Sequence, residues 1–512
     1  MIHRAFRGLV ISAAIGVAVS VAALLTAMPA RADGNLQNVN HIIIVMMENH
    51  SFDNYLGVLP YVPGTPYHNA KGSGITRGCD PSDHSCVDGL NCRQPRNGGA
   101  LKCRNANKSN TKGRVRAFHE TNYCVGPDLD HSWDGTHREV NFKHVNRTLK
   151  SPRNNGFVQL NALTEGPIQA ANHDTMGYYS DVDLPFYYYL ATNFAISDRY
   201  FSSILGQTFP NRAYFVAGTS FGHLTTSEIL GGFIDPAPGG YKPITGTIYG
   251  MLTAANVSWT DYYSDLPYSL IFEAPSTHQQ PIGLFAGSCA AGTLPAVSFI
   301  DPSALPSQNI NGDLYQTDEH PPNDIRAGQY FVSTVINALR NSPSWNDSLL
   351  ILTYDEHGGF YDHAAEPAAP LPDNIAPGQC ADLSNPPAST MPGGGLSCTH
   401  SKTIDAPGIC PAFTPTGPYP ADCPNFDQYG VRLPFIAISP FSKPHYVSHT
   451  VGDHTSLLAL IEKRFLANAH LTGRDAAADT LEDMFDFDNA PSADVTLPTA
   501  PLPSVADPGC PF

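Results

Sequence analysis

Charged residues are scarce in this chain of 512 residues, and basic ones are scarcer than acidic ones. Only 15% of the residues are charged while 42% are hydrophobic, which excludes a disordered, highly charged protein. The 29 Lys and Arg residues are outnumbered by 46 Asp and Glu, so the formal net charge is −17. Such a surface repels polyanions, and we predict no nucleic-acid partner and at most transient contact with a membrane surface. A polyanionic substrate would then need a local cation, for which a metal ion is the first candidate.

Two further absences bear on the class of protein and on the role of its cysteines. No repeat of fixed period occurs, which excludes an array of structural repeats. The 11 cysteines include no CxxC pair and their spacings are irregular, which counts against a zinc site as the alternative explanation. In an exported protein, the clusters at 79–124 and 380–423 are typical of disulfides that tie loops, and the odd number leaves one thiol unpaired.

The first 32 residues have the pattern of a secretory signal peptide. Two arginines precede an apolar run at 9–28, and an A-x-A cleavage pattern ends at Ala32. We therefore predict cleavage near Ala32 and a secreted or periplasmic protein. The apolar run of 20 residues is long enough to cross a membrane, so an N-terminal anchor is the alternative. No twin-arginine pair is present.

Short apolar runs of strand length recur along the rest of the chain and alternate with segments of helical periodicity. The runs are apolar on both faces, which is typical of strands buried in a parallel sheet. Helical spacing is found at 325–339 and 457–465. We therefore predict an α/β protein in which a mostly parallel sheet is flanked by helices on both faces. The predicted strands are 42–47, 194–197, 257–260, 297–300, 349–354 and 435–439.

Two long stretches, 64–126 and 364–428, interrupt this alternation. They are rich in Gly, Pro, Asn and Cys and are too long for ordinary connections. We predict that they are disulfide-tied loop excursions that wall or cover a site. Residues 33–490 are predicted to form one domain, because the candidate ligands described next are spread over most of that length. Residues 491–512 are predicted to be a Pro-rich surface tail.

Two of the predicted strands end in oxygen ligands. The segment HIIIVMMENHSFDNYLG contains Glu48 and Asn49, and SLLILTYDEHGGFYDH contains Asp355 and Glu356. Ligands of an open parallel sheet bind at the carboxyl ends of its strands, so we expect these side chains to meet. Carboxylate and amide oxygens suit one divalent metal ion, whose identity stays open. Acids also follow strands as turn and capping residues, but the two pairs together favour the metal site.

A third segment, ILGQTFPNRAYFVAGTS, contains a candidate nucleophile. Proline favours the first helical turn, so a helix is predicted to begin near Phe209 or Pro210, with Thr208 at its mouth. Free N–H groups and the positive end of the helix dipole would attract phosphate oxygens there, and a metal would favour the Thr208 alkoxide. We expect Asn211 and Arg212 to hold the remaining phosphate oxygens. An ordinary helix cap is the alternative interpretation of Thr208.

Several histidines are candidates for phosphate contact or proton transfer. His131, His278 and His320 lie in segments without apolar periodicity, so we do not expect them in the core. Their natural roles would be hydrogen bonding to phosphate oxygens or donation of a proton to a leaving group. Taken alone, each of them is better explained as a surface residue.

Four motifs together resemble the bacterial phosphoesterase family that contains phospholipases C and secreted acid phosphatases, in the alkaline phosphatase superfamily. They are IVMMENHSFDNYLG, GQTFPNR, TYDEHGGFYDH, and YGVRLPFIAISPF followed by DHTSLLALIEKRF. The resemblance covers nearly the whole chain after the signal and matches least in the two excursions. It implies an alkaline phosphatase-like fold in which the four oxygen ligands hold the metal and Thr208 forms a covalent phospho-enzyme.

The same resemblance implies roles for the histidines. It places His131, His278 and His320 in the phosphate pocket, with His320 assisting departure of the alcohol. It also suggests phosphate contacts for His137 and His357. The family often has two adjacent histidines where His278 is followed here by a glutamine, a departure that removes one possible contact.

The activity implied by the resemblance is a secreted phosphoric-ester hydrolase. A phospholipase C-type phosphodiesterase is the leading hypothesis, because Thr208 followed by PNR is similar to that branch. A broad-specificity acid phosphatase is the alternative, since the twin-arginine signal common in larger phospholipases is missing. A third hypothesis is a non-catalytic protein that binds phosphate or a lipid head group. The expected partner is a phosphorylated small molecule or a phospholipid, and the oligomeric state stays open.

Overall fold

The computed structural model describes most of the chain after the predicted signal. The described residues are 35–70, 78–95, 99–110, 113–126, 128–145, 153–164, 174–229, 245–273, 276–380, 398–489 and 496–503. The signal peptide predicted at 1–32 lies outside them, as do most of the tail predicted at 491–512 and parts of both excursions. Within these ranges no helix combines the length and the apolar character needed to cross a membrane.

An eight-stranded sheet forms the centre of the molecule. Across the sheet the strands follow the order β4-β3-β5-β1-β6-β7-β2-β8. Only β7 runs antiparallel to its neighbours, and the other paired strands are parallel. In chain order these strands are β1 (His41–Met47), β2 (Ala195–Ser197), β3 (Trp259–Tyr263), β4 (Gln279–Pro281), β5 (Val297–Asp301), β6 (Ser348–Tyr354), β7 (Phe435–Ile438) and β8 (Val447–Ser448).

The predicted fold class, a mostly parallel α/β sheet, is therefore confirmed. The orientation expected for the run at 435–439 is wrong, because β7 is antiparallel even though it is buried on both faces. The edge strands β4 and β8 were missed, because their sequences QQP and VS contain no apolar run. Burial on both faces thus identifies an inner strand but not the direction in which it runs.

Helices cover the sheet on both sides. Alternate side chains of β1 enter two separate hydrophobic cores, its odd-numbered residues in one and its even-numbered residues in the other. The first core includes α4 and α8, and the second includes α5 and α10. The helices are α1 (Phe52–Tyr55), α2 (Trp133–Val140), α3 (Phe157–Thr164), α4 (Pro185–Asn193), α5 (Thr208–Ala217), α6 (Ile248–Ala254), α7 (Gly283–Ala291), α8 (Ile325–Arg340), α9 (Ala406–Ile409), α10 (His454–Phe465) and α11 (Gly473–Ala477).

Disulfides tie both predicted excursions. Cys79–Cys86 and Cys92–Cys103 close loops in the first, and Cys380–Cys398 and Cys410–Cys423 close loops in the second. Cys289 is buried and is the free thiol among the described residues, so the predicted unpaired cysteine is confirmed. The first excursion contains short strands that pair in twos. The pairs are His68–Asn69 with Cys86–Val87, Cys92–Arg93 with Lys102–Cys103, Ala106–Lys108 with Arg114–Arg116, and Phe118–His119 with Gly177–Tyr178.

A buried network of charges fastens the first excursion to the sheet. The guanidinium of Arg432 donates to Asp53 at 3.1 Å, to Asp362 at 3.2 Å and to the carbonyl of Asp88 at 2.7 Å. The ring of His363 lies between two carboxylates. It is 2.7 Å from Asp53, which belongs to the core, and 3.1 Å from Asp88, which belongs to the first excursion. Burial lowers the pKa of His363, but these carboxylates outweigh it and raise the pKa to about 10. The network therefore contains two cations among its buried acids.

Replacing Arg432 by methionine is expected to lower the free energy of unfolding by about 3–5 kcal/mol, because its carboxylate partners would stay buried without that cation. Denaturant unfolding followed by circular dichroism measures the loss. Lys463→Met removes an exposed ion pair with Glu482 and is the matched control, with an expected loss below about 1 kcal/mol. Equal losses in the two variants would show that the Arg432 network does not anchor the excursion.

Candidate active site

The carboxyl ends of β1 and β6 lie side by side and carry the four predicted oxygen ligands. The two strands pair in parallel along their whole length, so the residues that follow them emerge together. The N–H of Asn49 donates to Asp355 Oδ1 at 3.3 Å across this junction. Glu48 and Glu356 complete the set, and all four side chains are buried. The structure thus brings together residues that lie about 300 positions apart in the chain.

The donor atoms of this cluster fit a divalent cation. Both polar atoms of the Asn49 side chain and Oε1 of Glu356 are buried and make no hydrogen bond to any described residue. A buried polar atom without a partner costs about 1–3 kcal/mol, so a bound ligand is expected to satisfy these atoms. Asn49 Oδ1, Glu356 Oε1 and the carboxylates of Glu48 and Asp355 are oxygen donors of the kind that hard cations prefer.

The backbone conformation of Asn49 and its close packing against Gly358 place the Asn49 side chain in the cluster. Asn49 has a left-handed conformation with φ of 65°, which asparagine tolerates better than most residues. Gly358 packs against it so closely that a Cβ there would lie 2.4 Å from the Asn49 carbonyl oxygen. Only glycine permits this approach, so Gly358 sets how the loops after β1 and β6 meet.

The site concentrates negative charge. Burial raises the pKa of Asp355 to about 7, and the charges of Glu48 and Glu356 add to the shift while Arg212 opposes it. Burial together with Glu48 also holds the pKa of Asp318 well above its usual range. Arg212 does not fully offset burial and the neighbouring acids, and a bound cation would supply further positive charge.

Helix α5 carries the predicted nucleophile at its first residue. The helix begins at Thr208, slightly before the predicted start, and Gln207 is its N-cap residue. The prediction of several free N–H groups here is wrong, because the Phe209 N–H donates to Thr226 Oγ1 at 3.3 Å and Pro210 has none. The Thr208 side chain is buried, and its hydroxyl makes no hydrogen bond among the described residues. That hydroxyl is therefore available to a ligand.

Asn211 and Arg212, expected to hold phosphate oxygens, are engaged with the protein instead. Asn211 Oδ1 accepts a hydrogen bond from the N–H of Ile204 at 3.0 Å and so fastens the loop before α5. The guanidinium of Arg212 lies 3.0 Å from Asp355 Oδ2 and 3.4 Å from Glu48 Oε1. These contacts correct the expectation: the two residues hold the loop and the ligand carboxylates in place.

The position of Arg212 orients Thr208. The two residues are one helical turn apart and share a face of α5. Arg212 reaches the carboxylates, so the helix face that carries Thr208 is the one turned towards the carboxylate end of the sheet. Tyr268 covers the guanidinium at 4.5 Å and its hydroxyl donates to Glu48 at 3.1 Å, which holds this arrangement on a second side.

His131 and His320 lie together at the rim of the site. Their ring centroids are 6.2 Å apart, and His131 Nε2 lies 3.8 Å from Glu356 Oε1. In each ring Nδ1 lies against a backbone carbonyl, that of Leu129 at 2.8 Å and that of Pro321 at 2.6 Å. A ring that donates from Nδ1 keeps Nε2 for other partners, so both histidines present Nε2 to the site.

The protonation of His320 suits a proton donor. Burial lowers the pKa of His320, but the charges of Glu48, Asp128 and Asp318 outweigh it and raise the pKa to about 9. His320 is therefore protonated at neutral pH. The pKa of His131 also rises, because Glu356 and Asp128 outweigh the effect of burial.

The backbone of the His320 segment is anchored by its neighbour Glu319. The Glu319 carboxylate accepts hydrogen bonds from the hydroxyls of Tyr55 at 2.8 Å, Tyr187 at 2.6 Å and Tyr354 at 2.6 Å. Its backbone is left-handed, with φ of 72°, and the three tyrosines hold it there. This anchor directs His320 towards the site while Glu319 itself points away from it.

His357 lies behind the metal-ligand cluster. Its Nδ1 is 3.2 Å from Glu356 Oε2, and its Nε2 is 2.8 Å from Glu139 Oε2. Burial lowers the pKa of His357, but the two carboxylates outweigh it and raise the pKa to about 10. With both nitrogens committed, His357 orients Glu356 and has no atom left for substrate phosphate, which corrects the predicted role.

His137 is not brought into contact with these residues. It is buried in α2, where its ring packs on Trp133 with centroids 4.3 Å apart and its Nδ1 lies 2.7 Å from the Trp133 carbonyl. Burial lowers the pKa of His137 to about 4, so the ring is neutral and does not attract phosphate by charge.

His278 lies at the opposite edge of the sheet. It stacks on Trp259 with centroids 4.1 Å apart and bonds the Trp259 carbonyl at 2.8 Å. Through β5, Trp259 is in register with Ile42 near the start of β1. At about 3.3 Å per residue, that is roughly 20 Å from Glu48 along the strands. The expectation that His278 lines the phosphate pocket is therefore wrong, because the STHQQP segment did not reveal which end of a strand it occupies.

Sequence reasoning missed several residues of the site. Asp128 lies 3.8 Å from His320 Nε2 and precedes His131 by three residues, so the DLDHSW segment held a signal for it. His454, the first residue of α10, bonds the Asp355 carbonyl at 2.7 Å. Tyr268 and Asp318 carried no signal in their local sequence, because their roles depend on the distant Glu48.

Buried acids at the carboxyl ends of a mostly parallel sheet, with a helix that begins at an unpartnered hydroxyl, are consistent with a hydrolase that acts on phosphoric esters. Comparison with known proteins bears this out. The model of the phosphoesterase family matches residues 39–467, and the chain belongs to that family. It is a hydrolase acting on phosphoric ester bonds, as the resemblance implied.

Named relatives cover most of the chain. Non-specific phospholipase C6 of Arabidopsis thaliana is 28% identical over 91% of this chain and 76% of its own length. Phospholipase C B of Mycobacterium tuberculosis is 28% identical over 90% of this chain and 80% of its own. A structure of murine ectonucleotide pyrophosphatase/phosphodiesterase 5 is 14% identical over 61% of this chain and 96% of its own length. The TM-score of this superposition is 0.30.

Proposed function

We propose that this hydrolase is a phospholipase C-type phosphodiesterase with Thr208 as its covalent nucleophile. The observation that supports this most is the unpartnered Thr208 hydroxyl, one helical turn from the arginine that contacts Asp355 and Glu48. The relatives that cover the chain are named phospholipases C. The substrate is a phospholipid or a phosphorylated small molecule. The pattern at 1–32 supports export to the periplasm or the medium.

The four clustered oxygen ligands, Glu48, Asn49, Asp355 and Glu356, would hold one divalent cation. Such an ion, when bound, neutralises charge on the transferring phosphoryl group and favours the deprotonated form of a nearby hydroxyl. Arg212 keeps two of the ligand carboxylates in position and adds positive charge behind them. His357 orients Glu356 from the other side.

The reaction proceeds in two displacements. Thr208 Oγ1 loses its proton to solvent and attacks phosphorus in line, the bond to the alcohol breaks, and His320 gives its Nε2 proton to the departing oxygen. His320, now neutral, accepts a proton from water as the water attacks the phospho-threonine. The second displacement breaks the bond between phosphorus and Thr208 Oγ1 and releases the phosphorylated head group. Thr208 Oγ1 takes a proton back from solvent, and His320 is protonated again.

Substrate preference tests this proposal. Release of phosphocholine from phosphatidylcholine is compared with release of phosphate from a simple aryl phosphate, both with divalent metal supplied. We expect the larger kcat/KM for the diester. A larger value for the monoester would show a broad-specificity acid phosphatase, and turnover of neither substrate would show a non-catalytic binding protein.

The role of His320 predicts a dependence on the leaving group. His320→Gln should lower kcat/KM by about 10²–10⁴-fold for a diester with an alkyl alcohol, whose departure needs a proton. A nitrophenyl alcohol leaves with little protonation, so the kcat/KM of its diester, which reports the first displacement and not the shared second one, should fall far less. His278→Gln, at the far edge of the sheet, is the matched control and should change neither rate. If His320→Gln lowered the rate equally for both substrates, that result would contradict a role of His320 as proton donor.

A further inference from the structure

The first excursion has a charge opposite to that of the whole protein. Residues 89–119 contain eight Lys or Arg and no Asp or Glu, in a chain whose net charge is −17. A cluster of positive charges on a protein of negative net charge creates a local field that attracts anions. The mechanism described above uses none of these residues.

Four of the described basic residues line a cavity of about 830 Å³. This volume lies in the range of small-molecule sites. Arg93, Lys102, Arg104 and Arg116 are exposed, and none of the four forms an ion pair within the described part of the chain. His119 also lines the cavity, but its charge is met by Asp183 at 2.7 Å. Four cationic side chains thus face one cavity without a carboxylate to neutralise them.

The walls of this basic cavity are held in place. The disulfide Cys92–Cys103 ties the hairpin that carries Arg93 and Lys102. The guanidinium of Arg116 donates to the carbonyl of Cys103 at 3.1 Å, which joins the next hairpin to the first. A preformed cavity avoids most of the entropy cost of ordering its side-chain frame when a ligand binds.

The basic cavity lies on the same edge of the sheet as the active site. Its Phe118–His119 wall pairs with the strand Gly177–Tyr178. The next residue, Tyr179, donates from its N–H to the Asn54 carbonyl at 2.7 Å, in the helix that follows β1. The cavity is therefore attached to the end of β1 from which the predicted metal ligands emerge.

We propose that the basic cavity is a second binding site, distinct from the Thr208 site, for the anionic phosphate ester of a head group. Its size accommodates one compact phosphate ester, with Tyr178 and Phe118 as apolar walls. A long polyanion that extended beyond the cavity would meet the acidic remainder of the surface, so a nucleic acid is disfavoured. The ligand is either a free phosphate ester or the same group presented by a lipid bilayer.

Binding to two probes tests the site in the full chain. Glycerol 1-phosphate is titrated by calorimetry, and vesicles of phosphatidylcholine with phosphatidylglycerol are tested by co-sedimentation. The double variant Lys102→Gln/Arg104→Gln removes two exposed cavity charges, whereas Lys108→Gln removes an exposed charge of the same excursion outside the cavity. At about fivefold per lost charge, the double variant should bind about 30-fold more weakly, and Lys108→Gln should bind like the wild type.

The two probes also identify the source of the phosphate ester. A loss confined to calorimetry supports a free ligand, and a loss in co-sedimentation supports a head group in a bilayer. The kcat of the double variant on a soluble nitrophenyl diester should be unchanged, which separates this site from the proposed catalysis at Thr208. The proposal is overturned if wild type binds neither probe, if Lys108→Gln loses as much as the double variant, or if a short oligonucleotide binds the cavity more tightly than either probe.

Discussion

Thr208→Ala is expected to lower turnover of a phosphodiester by about 10⁴-fold or more, the scale of losing a covalent nucleophile. The physical reason is that Thr208 begins α5 one helical turn from Arg212, which contacts the Glu48 and Asp355 carboxylates, whereas the Thr226 hydroxyl near the same helix start accepts the Phe209 N–H. The change removes one hydroxyl and one methyl group, and the N-cap position belongs to Gln207 and not to Thr208, so the fold should be kept. Steady-state assays with metal supplied, together with circular dichroism, measure both effects.

Thr208→Ser is the matched control for this change. It keeps a hydroxyl at the same position and should retain a measurable fraction of the turnover, because only a methyl group is lost. Residual activity above a few per cent in Thr208→Ala would contradict the nucleophile assignment. Loss of activity in Thr208→Ser equal to that in Thr208→Ala would show that the position matters for packing rather than for attack.

Asp355→Asn is expected to lower metal affinity by more than 100-fold and turnover with it. Asp355 lies at the centre of the oxygen cluster, where it accepts the Asn49 N–H and contacts Arg212. The amide removes one negative charge while keeping the shape, so the loss reports on charge at the ion. Removal of even a residue that only orients a ligand typically costs 10–100-fold, and a direct ligand should cost more. Elemental analysis of the purified chain gives the metal content.

Asp261→Asn is the control for Asp355→Asn. Asp261 is a fully buried acid in β3 whose Oδ2 accepts the Ser269 N–H at 3.0 Å, and it is not one of the four predicted ligands. Its metal content and turnover should match the wild type. Unchanged metal content in Asp355→Asn would refute the ligand assignment, and equal losses in both variants would show a general effect of replacing buried carboxyls.

The strands and their ends were predictable because the information is local. The runs that became β1 and β6 are fully apolar, and the oxygen ligands follow them directly in sequence. Once both runs are placed in a parallel sheet, Glu48 and Asp355 must emerge at the same edge. The free thiol and the disulfide-tied loops were predictable from the cysteine count and its clustering for the same reason.

The roles of individual polar side chains were not predictable, because they depend on partners far away in the chain. Arg212 looked free to bind phosphate, but its partner Asp355 lies 143 residues further on. His278 looked equivalent to His131, yet strand direction places them at opposite edges of the sheet. The prediction of at most transient membrane contact rested on the net charge of the whole chain. That net charge does not reveal the local cluster of basic residues around the cavity of the first excursion.

The stereochemical course at phosphorus tests the central claim most directly. A phosphodiester made chiral at phosphorus by sulfur and an oxygen isotope is hydrolysed in isotopically labelled water, and the configuration of the product is determined. Each in-line displacement inverts phosphorus, so attack by Thr208 followed by attack by water predicts overall retention. Inversion would mean that water displaces the alcohol in a single step, and it would contradict a covalent intermediate on Thr208.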